Sequence, residues 1–273
     1  MQIENRVFVV TGGGNGMGRE VVLGLLARKA RVAAVDLNQP GLDETAALAN
    51  AGERLTTHAV NVSDRAAVLA LPAAVKKAHG QVDGLLNVAG IIQPFVKIAE
   101  LDFDVIERVM NVNFWGVVNM SKAFLPDLLA RPESGLLNVS SMGGFLPVPG
   151  QAAYGASKAA VKLFTEALYA ESQGTSLAVT VVFPGGVSTN ITGNSGVDTS
   201  KMEAAMAPTD GKPAKERKTT TPADAGRQII EGLEKGAYRV RIGGDAKFMD
   251  RLSRLAPRRA TLLIADQMKA LLG

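Results

Sequence analysis

Near its start the chain runs Arg6-Val7-Phe8-Val9-Val10, an apolar and β-branched stretch suited to a buried strand. It passes without a break into Thr11-Gly12-Gly13-Gly14-Asn15-Gly16-Met17-Gly18, and then into helix-forming sequence from Arg19 to Lys29. A strand that enters a glycine turn and a helix with no spacer has to pack that helix back over itself, the opening half of a βαβ unit. The glycines Gly12, Gly16 and Gly18 permit a tight turn and let the backbone approach a pyrophosphate, whose charge the helix N-terminus stabilises. Asn15 and Met17 sit between them on the same turn. The spacing is not a P-loop, because no Gly-Lys-Ser/Thr closes it.

The next strand, Arg31–Val35, ends in Asp36 and Leu37, with Asp36 eighteen residues past Gly18. An acid at that place accepts hydrogen bonds from adenosine ribose hydroxyls. It also repels a 2′-phosphate, by roughly 4 kcal/mol per unit charge at ~4 Å in a partly screened site. NAD is therefore expected in preference to NADP. Arg19 could greet a phosphate, but just past the glycines it is expected to point away along the helix.

The alternation continues with a helix over 39–51, a strand over 55–62, a helix over 63–79 capped by Ser63, and a strand over 82–88. A long helix follows over 102–130, carrying Asn111, Asn113, Trp115 and Gly116 in its interior. Asparagine and glycine weaken a helix, so close packing at the glycine or a buried asparagine bonded to backbone or water is expected there. A strand over 136–141, a Gly/Pro-rich loop over 143–150, a helix from Tyr154, a strand over 177–183, a helix over 223–235 started by Thr221-Pro222, and a strand over 238–242 complete the pattern. This order predicts an α/β fold, a doubly wound parallel sheet with helices on both faces, in one domain spanning 1–273. Ligands bind such sheets outside the carboxyl ends of the strands, so Asn61-Val62 and Asn87-Val88-Ala89-Gly90 are expected to line a crevice. Residues 190–220 shift to Gly, Ser, Thr, Lys and Met and read as a substrate lid, with Met202 and Met206 offering an adaptable apolar face.

Composition removes several alternatives. The 273 residues are 47% hydrophobic and 21% charged, with a net charge of +4, too mild to argue for nucleic acid. With no cysteine there are no disulfides, thiolate nucleophiles or Cys-ligated metals. His58 and His79 stand in unrelated places with no carboxylate pattern around them, so no metal site is expected. No apolar run reaches the ~20 residues of a membrane span, and the opening strand leaves no room for a signal peptide. A soluble cytoplasmic protein is expected.

Tyr154 and Lys158, four residues apart at the head of an Ala-rich helix, share one helix face. An ammonium about 4 Å from a phenol favours phenolate by roughly 4 kcal/mol at an effective dielectric of ~20, nearly three pKa units. The pair alone favours a packing tyrosine beside a solvated lysine.

Taken together, Thr11-Gly12-x-x-x-Gly16-x-Gly18, Asn87-x-Ala89-Gly90, Asn113, Ser141, Tyr154-x-x-x-Lys158 and Pro184-Gly185 resemble the short-chain dehydrogenase/reductase family, from about Arg6 to Thr189. The family's serine lies thirteen positions before its tyrosine, which selects Ser141 over Ser140. The resemblance implies a Rossmann-type oxidoreductase with Tyr154 as general acid/base and Ser141 orienting the substrate oxygen. It implies that Lys158 binds the nicotinamide ribose and lowers the Tyr154 pKa, and that Asn113 holds a relay water. Val187 would take the carboxamide, Thr189 the phosphates, and Pro184 and Gly185 the nicotinamide side of the crevice. Val88 replaces a second asparagine of the family's Asn-Asn-Ala-Gly. Asn61 stands in place of an aspartate, with a carbonyl still able to accept from the adenine amino group.

For the substrate, Ile91, Gln93, Phe95, Met142, Phe145, Val148, Gln151, Gly186, Met202 and Met206 are candidate neighbours, mostly apolar and without an arginine clamp. They favour a moderately hydrophobic secondary alcohol or its ketone. Two other functions fit the fold: a catalytically silent NAD(H)-binding scaffold or redox sensor, which would be expected to lose one of Asn113, Ser141, Tyr154 and Lys158, and a nucleotide-sugar epimerase or dehydratase, which needs more chain after Thr189. The resemblance also implies a homodimer or homotetramer formed through the helices Phe103–Leu129 and Tyr154–Glu171. After Asp245 the chain is basic and amphipathic, through Phe248, Arg251, Leu252, Arg254, Leu255, Arg258, Arg259, Leu262 and Leu263. Packing onto the domain or a neighbouring subunit is expected of this extension, with contact to a membrane surface as the alternative.

Overall fold

The computed structural model describes residues 1–188, 191–195 and 219–268. Thr189, Met202 and Met206, and most of the proposed lid, lie outside the described residues. The strands are β1 (Val7–Thr11), β2 (Arg31–Asp36), β3 (Leu55–Ala59), β4 (Gly84–Asn87), β5 (Ser134–Val139), β6 (Leu177–Pro184) and β7 (Arg239–Ile242). The helices are α1 (Gly16–Ala27), α2 (Gln39–Ala49), α3 (Arg65–His79), α4 (Phe103–Met110), α5 (Gly116–Leu129), α6 (Ala152–Glu171), the single turn α7 (Ile191–Asn194), α8 (Pro222–Glu234), α9 (Gly244–Leu255) and α10 (Pro257–Gln267).

Among the described residues the seven strands form one sheet in the order β3-β2-β1-β4-β5-β6-β7, every neighbouring pair parallel. Strand alternation sorts the core onto two faces. Phe8 and Val10 of β1 join Val21, Leu25, Ile229 and Leu233 on the side of α1 and α8. Val7 and Val9 join Val68, Leu71, Met120 and Phe124 on the side of α3 and α5. Both faces are thus covered by helices, which explains why the central strands read as unbroken apolar runs.

Local chemistry sets several boundaries that differ from the sequence reading. The helix α1 begins at Gly16, because the Asn15 side chain caps it by accepting from Gly16 N–H. Asp64, not Ser63, caps α3: its carboxylate accepts from Ala67 N–H at 3.1 Å, while Ser63 turns back to Asn61. The long central helix is broken between α4 and α5 by a π turn at Asn111–Trp115. Such turns are rare and mark a locally diverted helix. Gly116 follows it because a Cβ there would stand 2.7 Å from Val62 Cγ2.

The C-terminal helices α9 and α10 pack inward. Met249, Ala260 and Ile264 are buried against Leu146, with Met142, Phe145 and Leu252 alongside. This seats the extension on the loop that follows β5, as the packing expectation had it, while Arg251, Arg258 and Arg259 stay exposed.

Candidate active site

A crevice of about 330 Å³ opens outside the carboxyl ends of β1, β2 and β4, where the strand order reverses about β1. Gly12, Asn15, Gly16, Met17 and Gly18 form one wall, Asp36, Leu37, Asn61 and Val62 the far end, and Ala89 and Gly90 the near side. Glycine is required by contact as well as by torsion. Gly12 has φ +73° and lies against the Ala89 backbone, where a Cβ would come within 3.0 Å, and a Cβ on Gly18 would stand 2.0 Å from the Gly12 carbonyl oxygen. The turn is thereby pressed flat at the head of α1, a cradle suited to a dinucleotide pyrophosphate. Thr11 contributes a contact that the sequence reading missed: its hydroxyl oxygen accepts from Val88 N–H at 3.0 Å and Ala89 N–H at 3.1 Å, tying β1 to the β4 loop.

Asp36 stands at the end of β2 with its oxygens accepting from Gly14 N–H at 3.0 Å and Asn38 N–H at 2.9 Å. The carboxylate therefore shapes the glycine loop and keeps lone pairs free for a ribose. Arg19 does not point along its helix. It folds across the loop onto α2, donating to the Gly14 carbonyl at 2.5 Å, Glu44 at 2.6 Å and Thr45 Oγ1 at 3.0 Å, so Glu44 already neutralises it. Asn61 lines the crevice as expected, but its Oδ1 already accepts from Ser63 N–H at 3.0 Å and Ser63 Oγ–H at 2.7 Å. The carbonyl expected to take an adenine amino group is thus twice engaged.

The expectation that the Asn87 side chain lines the crevice is corrected. It is buried at the end of the central strand β4, donating to Asn138 Oδ1 at 2.8 Å, and Asn138 donates in turn to Thr165 Oγ1 at 3.0 Å. This polar ladder joins β4, β5 and α6, and Val88 takes the place on the wall. Gln93 and Gln151, named as pocket candidates, are buried clamps. Gln93 Oε1 accepts from Tyr154 N–H at 2.9 Å and Gln151 Nε2 donates to the Gln93 carbonyl at 3.0 Å, holding the 91–94 loop against the head of α6.

Ser141, Tyr154 and Lys158 converge here. Ser140 is buried and donates its hydroxyl to the Lys158 carbonyl at 2.7 Å, which leaves Ser141 as the partly exposed serine. Ser141 Oγ accepts from Gly143 N–H at 3.0 Å, and it stands beside the Tyr154 ring: a Cβ on Gly143 would lie 3.5 Å from both Ser141 Oγ and Tyr154 Cε1. Lys158 Nζ donates to the Val139 carbonyl at 3.1 Å. It reaches the crevice wall at Gly90, where a Cβ would lie 3.0 Å from it and 3.2 Å from Asn113 Oδ1.

Burial reverses the expected electrostatics. It pushes the Tyr154 phenol up, against a smaller downward pull from the Ser141 hydroxyl, and it pulls Lys158 down to about 8. The ammonium lies 5.9 Å from the ring centre.

Asn113 sits in the π turn, fully buried. Its amide donates to the Ile91 carbonyl at 2.9 Å and Ser157 Oγ at 3.0 Å and accepts from Ile91 N–H at 2.8 Å. Both amide hydrogens are committed, so this side chain braces the strand-end loop; a relay water could meet only its remaining lone pair or the main chain.

Beyond β6, Thr220 N–H donates to the Gly186 carbonyl at 2.9 Å and Ser188 N–H to the Thr220 carbonyl at 3.0 Å, a parallel bridge centred on Val187. Peptide groups alternate along such a strand, so the Val187 N–H and C=O face away from Thr220. Pro184 pairs with Ile242 at the end of β6, and Gly185 N–H donates to the Ile242 carbonyl. Gly186, a candidate substrate neighbour, donates its N–H to Asp245 Oδ2 at 2.7 Å. Asp245 was not singled out in the sequence; the glycine pairs Gly185-Gly186 and Gly243-Gly244 were the available signal. Phe145 packs edge-on to Phe183, with ring centres 5.4 Å apart, within the cluster under α9 and α10.

His58 and His79 are not in unrelated places: Thr56 Oγ1 lies 3.0 Å from His58 Nε2 and 2.9 Å from His79 Nε2. Among the described residues no group of three or more His, Cys, Asp or Glu side chains could hold a metal ion, and no helix is long and apolar enough to cross a membrane.

The chain matches the model of the short chain dehydrogenase family over residues 6–199. SadH of Mycobacterium tuberculosis, named as an oxidoreductase, is 38% identical over 256 residues, covering 92% of this chain and 91% of that protein. The mouse dehydrogenase/reductase SDR family member 7B is 32% identical over 197 residues, covering 70% of this chain and 61% of that protein. The crystal structure of a short-chain dehydrogenase/reductase from Burkholderia phymatum in complex with NAD superposes with a TM-score of 0.83 at 23% identity, covering 95% and 96% of the two chains. That of a short-chain dehydrogenase from Burkholderia cenocepacia in complex with NADP gives 0.79 at 25% identity, covering 97% and 99%. With the glycine crevice, the sheet order and the serine, tyrosine and lysine in register, the chain belongs to the short-chain dehydrogenase family of oxidoreductases.

Proposed function

We propose that the protein is an NAD-dependent oxidoreductase that interconverts a secondary alcohol and a ketone. The observation that carries this reading is the convergence of Ser141, Tyr154 and Lys158: a Cβ on Gly143 would lie 3.5 Å from both Ser141 Oγ and Tyr154 Cε1, and Lys158 Nζ reaches the crevice wall at Gly90. A nicotinamide cofactor bound there supplies the hydride donor or acceptor. The chain's residues do the rest. In reduction, Ser141 donates to the carbonyl oxygen and fixes its place, and Tyr154 delivers its phenolic proton to that oxygen as negative charge develops on it. Because burial holds the phenol in its neutral form, Tyr154 is ready as an acid at neutral pH. In oxidation the same proton must first leave, which the Lys158 ammonium assists by favouring phenolate. Lys158 also offers donors to the ribose hydroxyls, and Asn113 keeps the Ile91 loop in place beside them.

Asp36 favours NAD over NADP through the charge it sets at the ribose end. The partly exposed apolar residues Ile91, Met142 and Val148 of the neighbouring loops favour a moderately hydrophobic alcohol or ketone. Exposed Phe103, Trp115 and Leu163 on the central helices support a homodimer or homotetramer built on that face. A cytoplasmic location is part of the same reading.

The test is a panel of secondary alcohols and ketones offered with NAD(H) and with NADP(H), following reduced nicotinamide. Turnover of apolar members with NAD(H) is expected. Binding of NADH with no turnover across the panel would favour a silent scaffold, and a preference for NADP(H) would overturn the assignment to Asp36.

A further inference from the structure

The C-terminal helix pair meets the loop beyond β6 at Asp245. Asp245, in the first turn of α9, is exposed, yet its carboxylate is keyed into the loop beyond β6. Oδ2 accepts from Gly186 N–H at 2.7 Å and Oδ1 from its own helix at Ala246 N–H, 2.8 Å. The fit tolerates no side chains around it. A Cβ on Gly185 would lie 2.2 Å from Oδ1, and one on Gly243, where φ is +94°, would lie 2.4 Å from the same atom. Two glycines, one on each loop, thus make room for one carboxylate.

On its other side the same loop is held by Thr220, which takes the Gly186 carbonyl and gives its own to Ser188 N–H. Gly186 is therefore fixed at both ends of its peptide, its N–H by Asp245 and its C=O by Thr220. With Gly186 and Ser188 committed in this way, the orientation of the Val187 peptide groups between them is determined. Their N–H and C=O are presented as a donor–acceptor pair of the kind that a primary amide can match.

We infer that Asp245 is a positioning residue for the nicotinamide end of the crevice: it sets the Gly186 peptide so that Val187 meets the cofactor's carboxamide. The role rests on the dinucleotide reading of the crevice given above. It makes the C-terminal extension part of the cofactor site, acting through a hydrogen bond and touching no reacting atom. Losing a hydrogen bond to a charged acceptor corresponds to roughly tenfold or more in affinity, expressed only by ligands that use Val187.

ADP-ribose isolates this effect, because it carries the adenosine, pyrophosphate and second ribose but no nicotinamide. Dissociation constants of NADH and of ADP-ribose are measured by fluorescence and by competition for wild type, Asp245→Ala and Asp245→Asn. Asp245→Ala is expected to weaken NADH about tenfold or more while ADP-ribose stays within about twofold. Asp245→Asn, which keeps one acceptor oxygen for Gly186 N–H, is expected to recover most of the NADH affinity. Equal weakening of both ligands, or unchanged NADH affinity in Asp245→Ala, would overturn the role. Failure of the wild type to bind either ligand is a different result, which removes the dinucleotide reading and this role with it.

Discussion

Lys158 holds its Nζ 5.9 Å from the centre of the Tyr154 ring and gives a hydrogen to the Val139 carbonyl 3.1 Å away. Helix periodicity makes the two side chains neighbours, but burial decides how each titrates. Desolvation penalises phenolate and ammonium alike, raising one pKa and lowering the other, and it is the largest influence on each.

Lys158 consequently costs stability. Its folded value of about 8 lies below the unfolded 10.5, so the unfolded chain binds more protons between those values and the wild type gains stability as pH rises from 8 to 10.5. Below pH 8 the full cost applies, on the order of 3 kcal/mol before the lost Val139 hydrogen bond is set against it. Lys158→Met is expected to be inactive yet more stable than wild type at pH 7 by roughly 1–2 kcal/mol, with the gap closing above pH 8. Denaturant melts at several pH values check this; a less stable variant at pH 7 whose deficit is independent of pH would contradict it.

Asp36→Ala is expected to narrow the ratio of kcat/KM for NAD over NADP by about tenfold or more, since one unit of repulsion at the 2′-phosphate disappears. NAD itself should bind somewhat more weakly, because Gly14 N–H and Asn38 N–H lose their acceptor. An unchanged ratio would place discrimination elsewhere.

Gly90→Ala tests the contact between the crevice wall and the lysine. The added methyl would sit 3.0 Å from Lys158 Nζ and 3.2 Å from Asn113 Oδ1, tighter than an ordinary contact with either. Displacing the ammonium is expected to lower kcat about tenfold or more with little loss of thermal stability, since a slight misplacement in a site costs far more in rate than in folding. Wild-type kcat in this variant would show that the lysine's position is not critical.

The histidine pair predicts an acid limit. Burial lowers the pKa of both His58 and His79 below 6.5, and Arg31 adds to the effect at His79. Lowered folded values mean that stability is held above pH 6.5 and lost as pH falls below it. Melting temperature should drop as pH falls below about 6.5, and His79→Gln should lessen the drop. Identical pH profiles for variant and wild type would remove the pair as its cause.

Much of this was legible in the sequence because it is local. The strand–glycine–helix entrance, the alternation of elements and the tyrosine–lysine spacing depend on residues close together in the chain, and a parallel sheet covered on both faces followed from them. What was not legible depends on which way a side chain turns. Asn87 faces inward to Asn138, Gln93 and Gln151 lock a loop to a helix, and Arg19 crosses to Glu44. Asp245 meets Gly186 across 59 residues, and Thr56 gathers His58 and His79 from a strand and a helix end, contacts that only the folded chain creates. The Tyr154 and Lys158 pKa directions belong to the same class, since desolvation is a property of the assembled core.

The central claim is that Tyr154 moves the proton. On any ketone that the wild type reduces with NADH, Tyr154→Phe removes the hydroxyl and keeps the ring, so NADH affinity should stay within about twofold while single-turnover hydride transfer falls by roughly 10²–10⁴-fold. Hydride transfer in Tyr154→Phe at the wild-type rate, with NADH bound equally well, would contradict the account.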